Sequence, residues 1–146
     1  GLISIDIDHF KRFNDHHGHA AGDLVLSRVS SELVETAGSA GIVCRDGGEE
    51  LAVICPDLDE GAAMSLANKL HNSIKRLEIV YQGEILPCVT FSAGVSTYPS
   101  DHSSIDDLMR NADNALYQAK HAGRDRIIAY KDDDAERWVL AKERTR

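Results

Sequence analysis

Two acidic pairs, each beside a strand-like apolar run, are the first groups in this sequence that could do chemistry. They are Asp6 with Asp8, and Glu49 with Glu50. Neighbouring carboxylates repel each other unless water or a cation screens them. If the pairs lie side by side, Asp6 and Glu49 supply the hard oxygen ligands that Mg²⁺ takes together with substrate phosphates. Taken separately, each pair is more often a solvated strand end or a hairpin turn.

A phosphate site in this protein also needs well-placed cations. The chain carries 16 Lys and Arg against 24 Asp and Glu, a formal net charge of −8, so its average field repels polyanions. Broad binding to nucleic acid or to an anionic membrane surface is therefore not expected. Lys11 follows the first apolar run, and Lys120 and Arg124 end a helical pattern, where they also suit the helix dipole. These three side chains are the candidates for phosphate contacts.

The histidines and cysteines do not indicate a zinc site or a disulfide framework. His16, His17 and His19 lie on a glycine-containing segment without a Cys or acidic partner at ligand spacing. The three cysteines are widely spaced and form no C-x-x-C pair, which fits a reducing cytoplasmic location. No apolar run approaches the length of a membrane span.

Hydrophobic periodicity predicts helices that alternate with single and paired strands. Strands are predicted at 3–7, 42–45, 51–55, 79–81, 85–98 and 126–130, and helices at 20–37, 57–74 and 104–122. A polar loop is expected before the first helix, a hairpin turn at 46–50, and a capping box of Asp57 and Glu60 at the second helix. The order predicts an α+β fold, with helices covering a largely antiparallel central sheet.

Several sequence blocks, taken together, resemble one protein family. They are DIDHFKRFND (6–15), the pairs Gly18-His19 and Gly22-Asp23, RDGGEEL (45–51), SAGV (92–95), and ADNALYQAK (112–120) followed by Gly123-Arg124. In order and spacing they resemble the GGDEF domain of diguanylate cyclases, here with a GGEEL signature. The resemblance implies a five-stranded sheet surrounded by helices, related to nucleotidyl cyclase catalytic domains and polymerase palms. It covers residues 1–130 and leaves 131–146 as a charged tail, predicted to be a solvent-facing helix or a frayed end.

The resemblance also implies where a metal and the catalytic carboxylates lie. Asp6, Glu49 and the backbone carbonyl of Ile7 would bind Mg²⁺, with Mn²⁺ as an alternative. Glu49 would help to deprotonate the attacking hydroxyl, and Glu50 would assist metal binding or orientation. Asp6, Glu49 and Glu50 are therefore the catalytic residues that the resemblance predicts.

The resemblance also implies a GTP substrate, with contacts to its base, its ribose and its phosphates. Asn14 and Asp23 would hydrogen-bond the guanine base. Gly47 and Gly48 would let the ribose and the α-phosphate approach the backbone. The β- and γ-phosphates would meet the backbone N–H groups of the turn at residues 9–11.

Four residues complete the implied phosphate site. They are Phe10, Lys11, Lys120 and Arg124. Phe10 would contribute its backbone, because its side chain is predicted to pack in the core. Lys11, Lys120 and Arg124 would contribute positive charge.

The implied reaction joins two GTP molecules into cyclic di-GMP and releases two pyrophosphates. One domain holds one GTP, so two copies must face each other as a homodimer, and an upstream sensor domain would control their pairing. The alternative is a catalytically silent module that binds GTP or cyclic di-GMP and acts through protein partners. A general nucleotidyl cyclase is disfavoured by the A-D-x-A-L-Y block.

The sequence departs from the family pattern at several positions. Asp46 stands where an aromatic or aliphatic residue is usual, and Leu51 replaces the final Phe of the signature. Family domains normally carry a helical segment with D-x-L-T-G-L-x-N-R ahead of the first strand, whereas this sequence starts inside that strand. The family's product-inhibition turn, R-x-x-D, is matched in position by Gly38 and Gly41, nine and six residues before Gly47. A domain without feedback inhibition at that turn is therefore expected.

Overall fold

The computed structural model describes residues 1–97 and 104–131 of the chain. Its elements, in chain order, are β1 (Leu2–Ile7), α1 (Phe10–His17), α2 (His19–Ala37), a 3₁₀ turn (Gly38–Ala40), β2 (Ile42–Gly47), β3 (Glu50–Ile54), α3 (Glu60–Lys75), β4 (Val80–Tyr81), β5 (Glu84–Ile85), β6 (Phe91–Ser96), α4 (Ile105–His121) and β7 (Ile127–Ala129). None of the helices in these two ranges is long and apolar enough to cross a membrane.

The central sheet has five strands in the order β2-β3-β1-β6-β7. Neighbouring strands are antiparallel except β6 and β7, which run parallel. β1 lies in the middle, and its Asp6 is opposite Glu50 of β3 on one side and Ser92 of β6 on the other. The predicted α+β fold with a largely antiparallel five-stranded sheet is therefore confirmed.

The two faces of β1 are covered by different helices. Ile3, Ile5 and Ile7 are buried in the main core, which they share with the apolar faces of α2 and α3. Alternation sends the intervening side chains to the opposite face, where α4 packs. There the Ser4 hydroxyl donates to Asp113 of α4 at 3.0 Å. The polar positions of β1 are thus directed at α4.

The segment predicted as a polar loop is instead helix α1. Its side chains are mostly polar and exposed, so helical periodicity rests on Phe10 and Phe13 alone. These two rings lie on the core side and stack with centroids 6.4 Å apart. Two apolar residues three apart are too short a pattern to separate a helix from a loop by sequence.

Two further predictions on the middle of the chain were wrong. The cap of α3 is Asp59, whose side chain accepts from the Ala62 N–H at 2.8 Å, whereas Asp57 has a left-handed backbone with φ of 61°. The long strand predicted at 85–98 is two separate strands: β5 pairs with β4 in a small hairpin, and β6 belongs to the central sheet. The Leu86 N–H donates to the Ile79 carbonyl at 2.8 Å, which extends this hairpin by one more pair of residues.

Helix α4 begins as predicted, but it buries less of its apolar stripe than the sequence pattern indicates. The Ser104 hydroxyl caps it by accepting from the Asp107 N–H at 3.1 Å. Ile105 and Met109, in the first turns, are 74% and 48% exposed, while the later positions 112, 115, 116 and 119 are buried. Residues 98–103, the end of the predicted long strand, and 132–146 of the predicted tail lie outside the described residues.

We expect Gly94→Ala to destabilise the domain, because β6 and α4 touch there backbone to backbone. A Cβ at Gly94 would lie 2.1 Å from the Ala112 carbonyl oxygen and 2.2 Å from the Leu116 nitrogen. Overpacking of this kind costs about 1–3 kcal/mol or more, measurable as a lower urea midpoint.

Gly61→Ala is the matched control, since its Cβ would meet nothing closer than Asp59 Oδ1 at 3.6 Å. This substitution on α3 is expected to leave stability unchanged or raise it by up to about 1 kcal/mol. Equal urea midpoints for the two variants would contradict the close approach of α4 to β6.

Candidate functional site

The carboxyl end of β1 meets the turn between β2 and β3. This turn pairs Gly47 with Glu50, after a register shift between Arg45 and Gly47, and places Gly48 at φ of 52°, a left-handed conformation that suits glycine. The Ile7 N–H donates to the Glu49 carbonyl at 3.3 Å. The glycine-rich turn is thereby fastened to the strand that carries Asp6.

Arg45 holds the same turn from within. Its Nε donates to the Gly48 carbonyl oxygen at 3.0 Å. A Cβ built at Gly47 or at Gly48 would find no atom within 4 Å. The outer side of the turn is therefore open space that a ligand can enter.

Asp6 is a buried carboxylate in a charged setting. It is 7% exposed, and the Nζ of Lys120 contacts its Oδ2. Burial raises the pKa of Asp6, the hydrogen bond and the positive charge of Lys120 oppose this rise, and the negative charges of Glu49 and Asp8 add to it. Asp6 and Glu49, the two predicted metal ligands, line the same pocket.

These groups open onto a pocket of about 170 Å³. Its lining residues are Asp6, Ile7, Asp8, His9, Phe10, Lys11, Glu49, Lys120 and Arg124. Asp6, Asp8 and Glu49 supply carboxylates to this lining, and Lys11, Lys120 and Arg124 supply positive charge. The predicted metal and phosphate residues are thus gathered around one cavity.

The first turn of α1 forms one wall of this pocket. His9, at the N-cap, has a left-handed backbone with φ of 56° and makes no side-chain cap. The first helical hydrogen bond is that of the Phe13 N–H to the His9 carbonyl, at 3.0 Å, so the N–H groups of residues 10–12 precede the helical ladder. The side chain of Phe10 is only 7% exposed and packs in the core, as predicted, so only its backbone is available.

Asp8 has a different role from Asp6. Its Oδ1 accepts from the Ser92 hydroxyl at 2.6 Å, and its Oδ2 accepts from the Thr90 hydroxyl at 2.6 Å and from the Asp125 N–H at 3.0 Å. Three protein donors therefore occupy this carboxylate. It joins β1 to β6 and to the turn after α4.

Asn14 and Asp23 lie at the junction of α1 and α2. The Gly18 N–H donates to the Asn14 carbonyl at 2.8 Å, which turns the chain between the two helices. Asn14 Oδ1 points at Gly22 so closely that a Cβ there would lie 1.7 Å away. This buried oxygen has no hydrogen-bond partner among residues 1–97 and 104–131, and the neighbouring Asp23 is exposed.

Comparison with known proteins shows which family this chain belongs to. The sequence model described as "Diguanylate cyclase, GGDEF domain" matches residues 1–126. The chain belongs to the GGDEF domain family. Diguanylate cyclase A of Treponema denticola is 39% identical over 132 residues, which are 90% of this chain and 35% of that protein. Diguanylate cyclase DgcP of Pseudomonas aeruginosa is 40% identical over 126 residues, 86% of this chain and 18% of that protein.

Solved GGDEF structures share the fold. The GGDEF domain of DgcB from Caulobacter crescentus, in complex with c-di-GMP, has a TM-score of 0.80 and 34% identity over 88% of this chain and 75% of that one. The active GGEEF domain of a diguanylate cyclase from Vibrio cholerae has a TM-score of 0.79 and 33% identity over 90% of this chain and 82% of that one. The present GGDEF domain thus spans most of these domains but about a third or less of the two full-length relatives.

The oxygen donors of this GGDEF domain are of the kind that hard divalent cations take. Asp6 and Glu49, two carboxylates, line the pocket together with Ile7. Mg²⁺ commonly takes one or two carboxylates and completes its shell with water and phosphate oxygens. In the described ranges no group of three or more His, Cys, Asp or Glu side chains lies together in a way that could hold a metal ion.

Two residues of the site were missed by the sequence analysis. Arg45 was quoted as part of the signature without a role, and it holds the turn through Gly48. Asp125 received no role, and its N–H is bound by Asp8. The sequence signal that could have indicated this turn is Asp125 directly after Gly123-Arg124, because Asp tolerates a left-handed backbone better than most residues.

Proposed function

We propose that this GGDEF domain is the catalytic part of a diguanylate cyclase that condenses two GTP molecules into cyclic di-GMP and two pyrophosphates. The observation that carries the proposal is that Asp6 and Glu49 line one pocket together with Lys11 and Arg124. A module that only binds nucleotide has no need of paired metal-binding carboxylates. The named relatives support the same activity.

Mg²⁺, or Mn²⁺ as the alternative, would be held by Asp6, Glu49 and the Ile7 carbonyl. When bound, such an ion supplies charge neutralisation at the phosphates and stabilises the attacking and leaving oxygens. The exposed Glu50 follows Glu49 at the start of β3 and would assist metal binding or orientation.

The chain's own groups would hold the triphosphate at its far end. The N–H groups at the start of α1, including those of Phe10 and Lys11, are donors of the kind that bind phosphate. The side chains of Lys11 and Arg124 add positive charge, and Lys120, which contacts Asp6, lines the same pocket. The turn at Gly47 and Gly48 leaves room for the ribose and the α-phosphate.

In the reaction, the 3′-oxygen of one GTP forms a bond to the α-phosphorus of another. The bond from that phosphorus to the pyrophosphate oxygen breaks, and pyrophosphate leaves with the electron pair. Glu49 would accept the proton of the attacking hydroxyl. Repeating the step with the roles of the two nucleotides exchanged closes the ring.

Guanine would be selected at the junction of α1 and α2. The Asp23 carboxylate can accept from the N1 and N2 donors of guanine, which adenine does not present, and Asn14 has unused hydrogen-bonding capacity. A site built to pair these donors rejects a base that lacks them, because its own polar groups are then left unpaired.

A single pocket for one GTP requires two domains to face each other. The working form would therefore be a two-fold homodimer, and the rate should rise more than linearly with protein concentration between nanomolar and micromolar levels. The curated relatives are much longer than this chain, which supports a sensor domain elsewhere in the protein that controls pairing.

Glu49→Ala is expected to abolish cyclic di-GMP formation, by at least roughly a hundredfold, because it removes a metal-binding carboxylate and the proton acceptor. Cyclic di-GMP and pyrophosphate are measured with GTP and Mg²⁺. Glu84→Ala, on the exposed hairpin of β4 and β5, is the control and should keep the parent rate. A folded Glu49→Ala domain at the parent rate would refute the assigned role of Glu49.

Asp23→Ala is expected to weaken the preference for GTP over ATP more than it weakens phosphate binding. Loss of a hydrogen bond to a charged group costs about 1.5–3 kcal/mol, roughly tenfold to a hundredfold in affinity. Competition binding with GTP and ATP measures the preference. Asp15→Ala, an exposed carboxylate on α1, is the control. A parent domain that binds GTP and ATP equally would exclude this guanine pocket.

The 3₁₀ turn that would carry product inhibition has glycines at both critical positions. Gly38 and Gly41 supply neither a guanidinium nor a carboxylate. We expect inhibition by cyclic di-GMP to be competitive, through the GTP pocket, and to vanish at high GTP. Inhibition that persists at saturating GTP and is removed by substituting residues 38–41 would contradict the absence of this inhibitory site.

A further inference from the structure

The turn after α4 has an unusual backbone. Gly123, Arg124 and Asp125 follow one another with φ of 121°, 63° and 49°. The Arg124 N–H donates to the Ala119 carbonyl at 3.0 Å, and the Gly123 N–H donates to the Lys120 carbonyl at 3.4 Å, the two bonds of a Schellman motif. Left-handed backbone costs each non-glycine residue roughly 1–2 kcal/mol, so two in succession must be held by other contacts.

Asp8 provides the first of these contacts. The Asp125 N–H donates to Asp8 Oδ2 at 3.0 Å, and the same carboxylate is fixed by the hydroxyls of Thr90 and Ser92. The Asp8 N–H also donates to the Thr90 carbonyl at 2.9 Å. Since His9 follows Asp8 directly, one carboxylate ties the turn after α4 to the segment that leads into α1.

Helix α3 provides the second contact, through the side chain of Asp125. His71 Nε2 lies 2.8 Å from Asp125 Oδ1, and Lys75 Nζ lies 3.2 Å from Oδ2. The His71 ring is itself held edge-on to Phe91, with centroids 5.1 Å apart. Asp125 is thus anchored at its backbone by β1 and at its carboxylate by α3.

Arg124, between these anchors, keeps its side chain available. Its carbonyl accepts from Arg126 Nε at 2.9 Å, which fixes the following peptide. Its guanidinium has no hydrogen-bond or ion-pair partner within residues 1–97 and 104–131, and it lines the pocket together with Lys11. A rigid backbone carries a cation that is free to meet a ligand.

We propose that Asp8 and Asp125 are positioning residues, which hold Arg124 opposite the start of α1 so that it and Lys11 grip the same polyphosphate. This inference rests on the proposed function, because it takes Arg124 to contact the β- and γ-phosphates of GTP. Neither carboxylate touches the substrate. Both act by holding the left-handed turn at Arg124 and Asp125 against the left-handed residue His9, which leads into α1.

Removal of the Asp125 side chain should therefore act on phosphate binding through Arg124 alone. With 3′-deoxy-GTP and Mg²⁺ as a ligand that cannot react, Asp125→Ala is expected to weaken binding roughly five- to tenfold, with little change for GMP. Asp125→Asn should recover most of the affinity, because Asn tolerates φ above zero and keeps one acceptor oxygen.

A double-mutant cycle separates positioning from a general loss of structure. Arg124→Ala should lose at least as much 3′-deoxy-GTP affinity as Asp125→Ala, and the double variant should lose no more than Arg124→Ala alone. Lys75→Met should show a smaller loss of the same kind. Lys69→Met, exposed on the same helix, is its matched control and should bind like the parent. Amide exchange at Asp125 should accelerate in Asp8→Ala, which removes the acceptor of the Asp125 N–H, and this reports the lost bond without any ligand.

The outcomes distinguish this inference from the function on which it rests. A parent domain that binds GTP and forms cyclic di-GMP, while the losses from Asp125→Ala and Arg124→Ala simply add, would overturn the positioning role and leave the cyclase proposal intact. Equal losses for GMP and 3′-deoxy-GTP, or parent-like binding by Asp125→Ala, would also overturn it. A parent that binds GTP but forms no cyclic di-GMP would instead refute the proposed activity, whatever the cycle shows.

Discussion

The antiparallel pairing of β1 with β3 is the constraint on which the site depends. It sets Asp6 opposite Glu50 and brings the Ile7 N–H to the Glu49 carbonyl, so that carboxylates from two distant parts of the chain share one sheet end. A shift of one residue would turn Asp6 into the core and an isoleucine toward α4, because side chains alternate along a strand. The buried isoleucines at 3, 5 and 7 prevent this shift, so the hydrophobic core also fixes the geometry of the polar site.

The site brings negatively charged side chains together, and their burial and mutual repulsion oppose folding. Asp6 is buried close to Glu49 and Asp8, and burial is the largest of the effects that raise its pKa. Lys120 offsets part of this cost from α4, and Asp8 is satisfied by three donors. Such an arrangement is typical of functional sites, where groups are held ready for a ligand at some expense of stability.

The sequence predicted the parts of the fold that rest on local patterns. The alternation in β1, the hairpin around Gly47 and the Ser104 cap of α4 each have a short-range signature, and the structure has all three. Helix α1 was missed because only two apolar side chains mark its inner face. The break between β5 and β6 was missed because it depends on which sheet each strand joins, and a continuous β-rich run carries no sign of that choice.

For the site, too, local sequence motifs were predictable and long-range contacts were not. Residues within a compact motif, such as Glu49 and Lys120, were found from sequence and lie at the pocket. The contacts of Asp125 with Asp8 and with His71 join segments 117 and 54 residues apart, as the numbering shows. Pairings at such separation follow from topology, and one sequence without its fold does not reveal them.

The close approach at Gly94 limits how this domain can change over time. Because the backbone of β6 meets the backbone of α4 there, no side chain lies between them whose size could adjust their spacing. The spacing of β6 and α4 is therefore set by direct backbone contact at this point. Because α4 also carries Lys120, the helix that supplies the positive partner of Asp6 is seated on the sheet at a position that leaves no room for a larger residue.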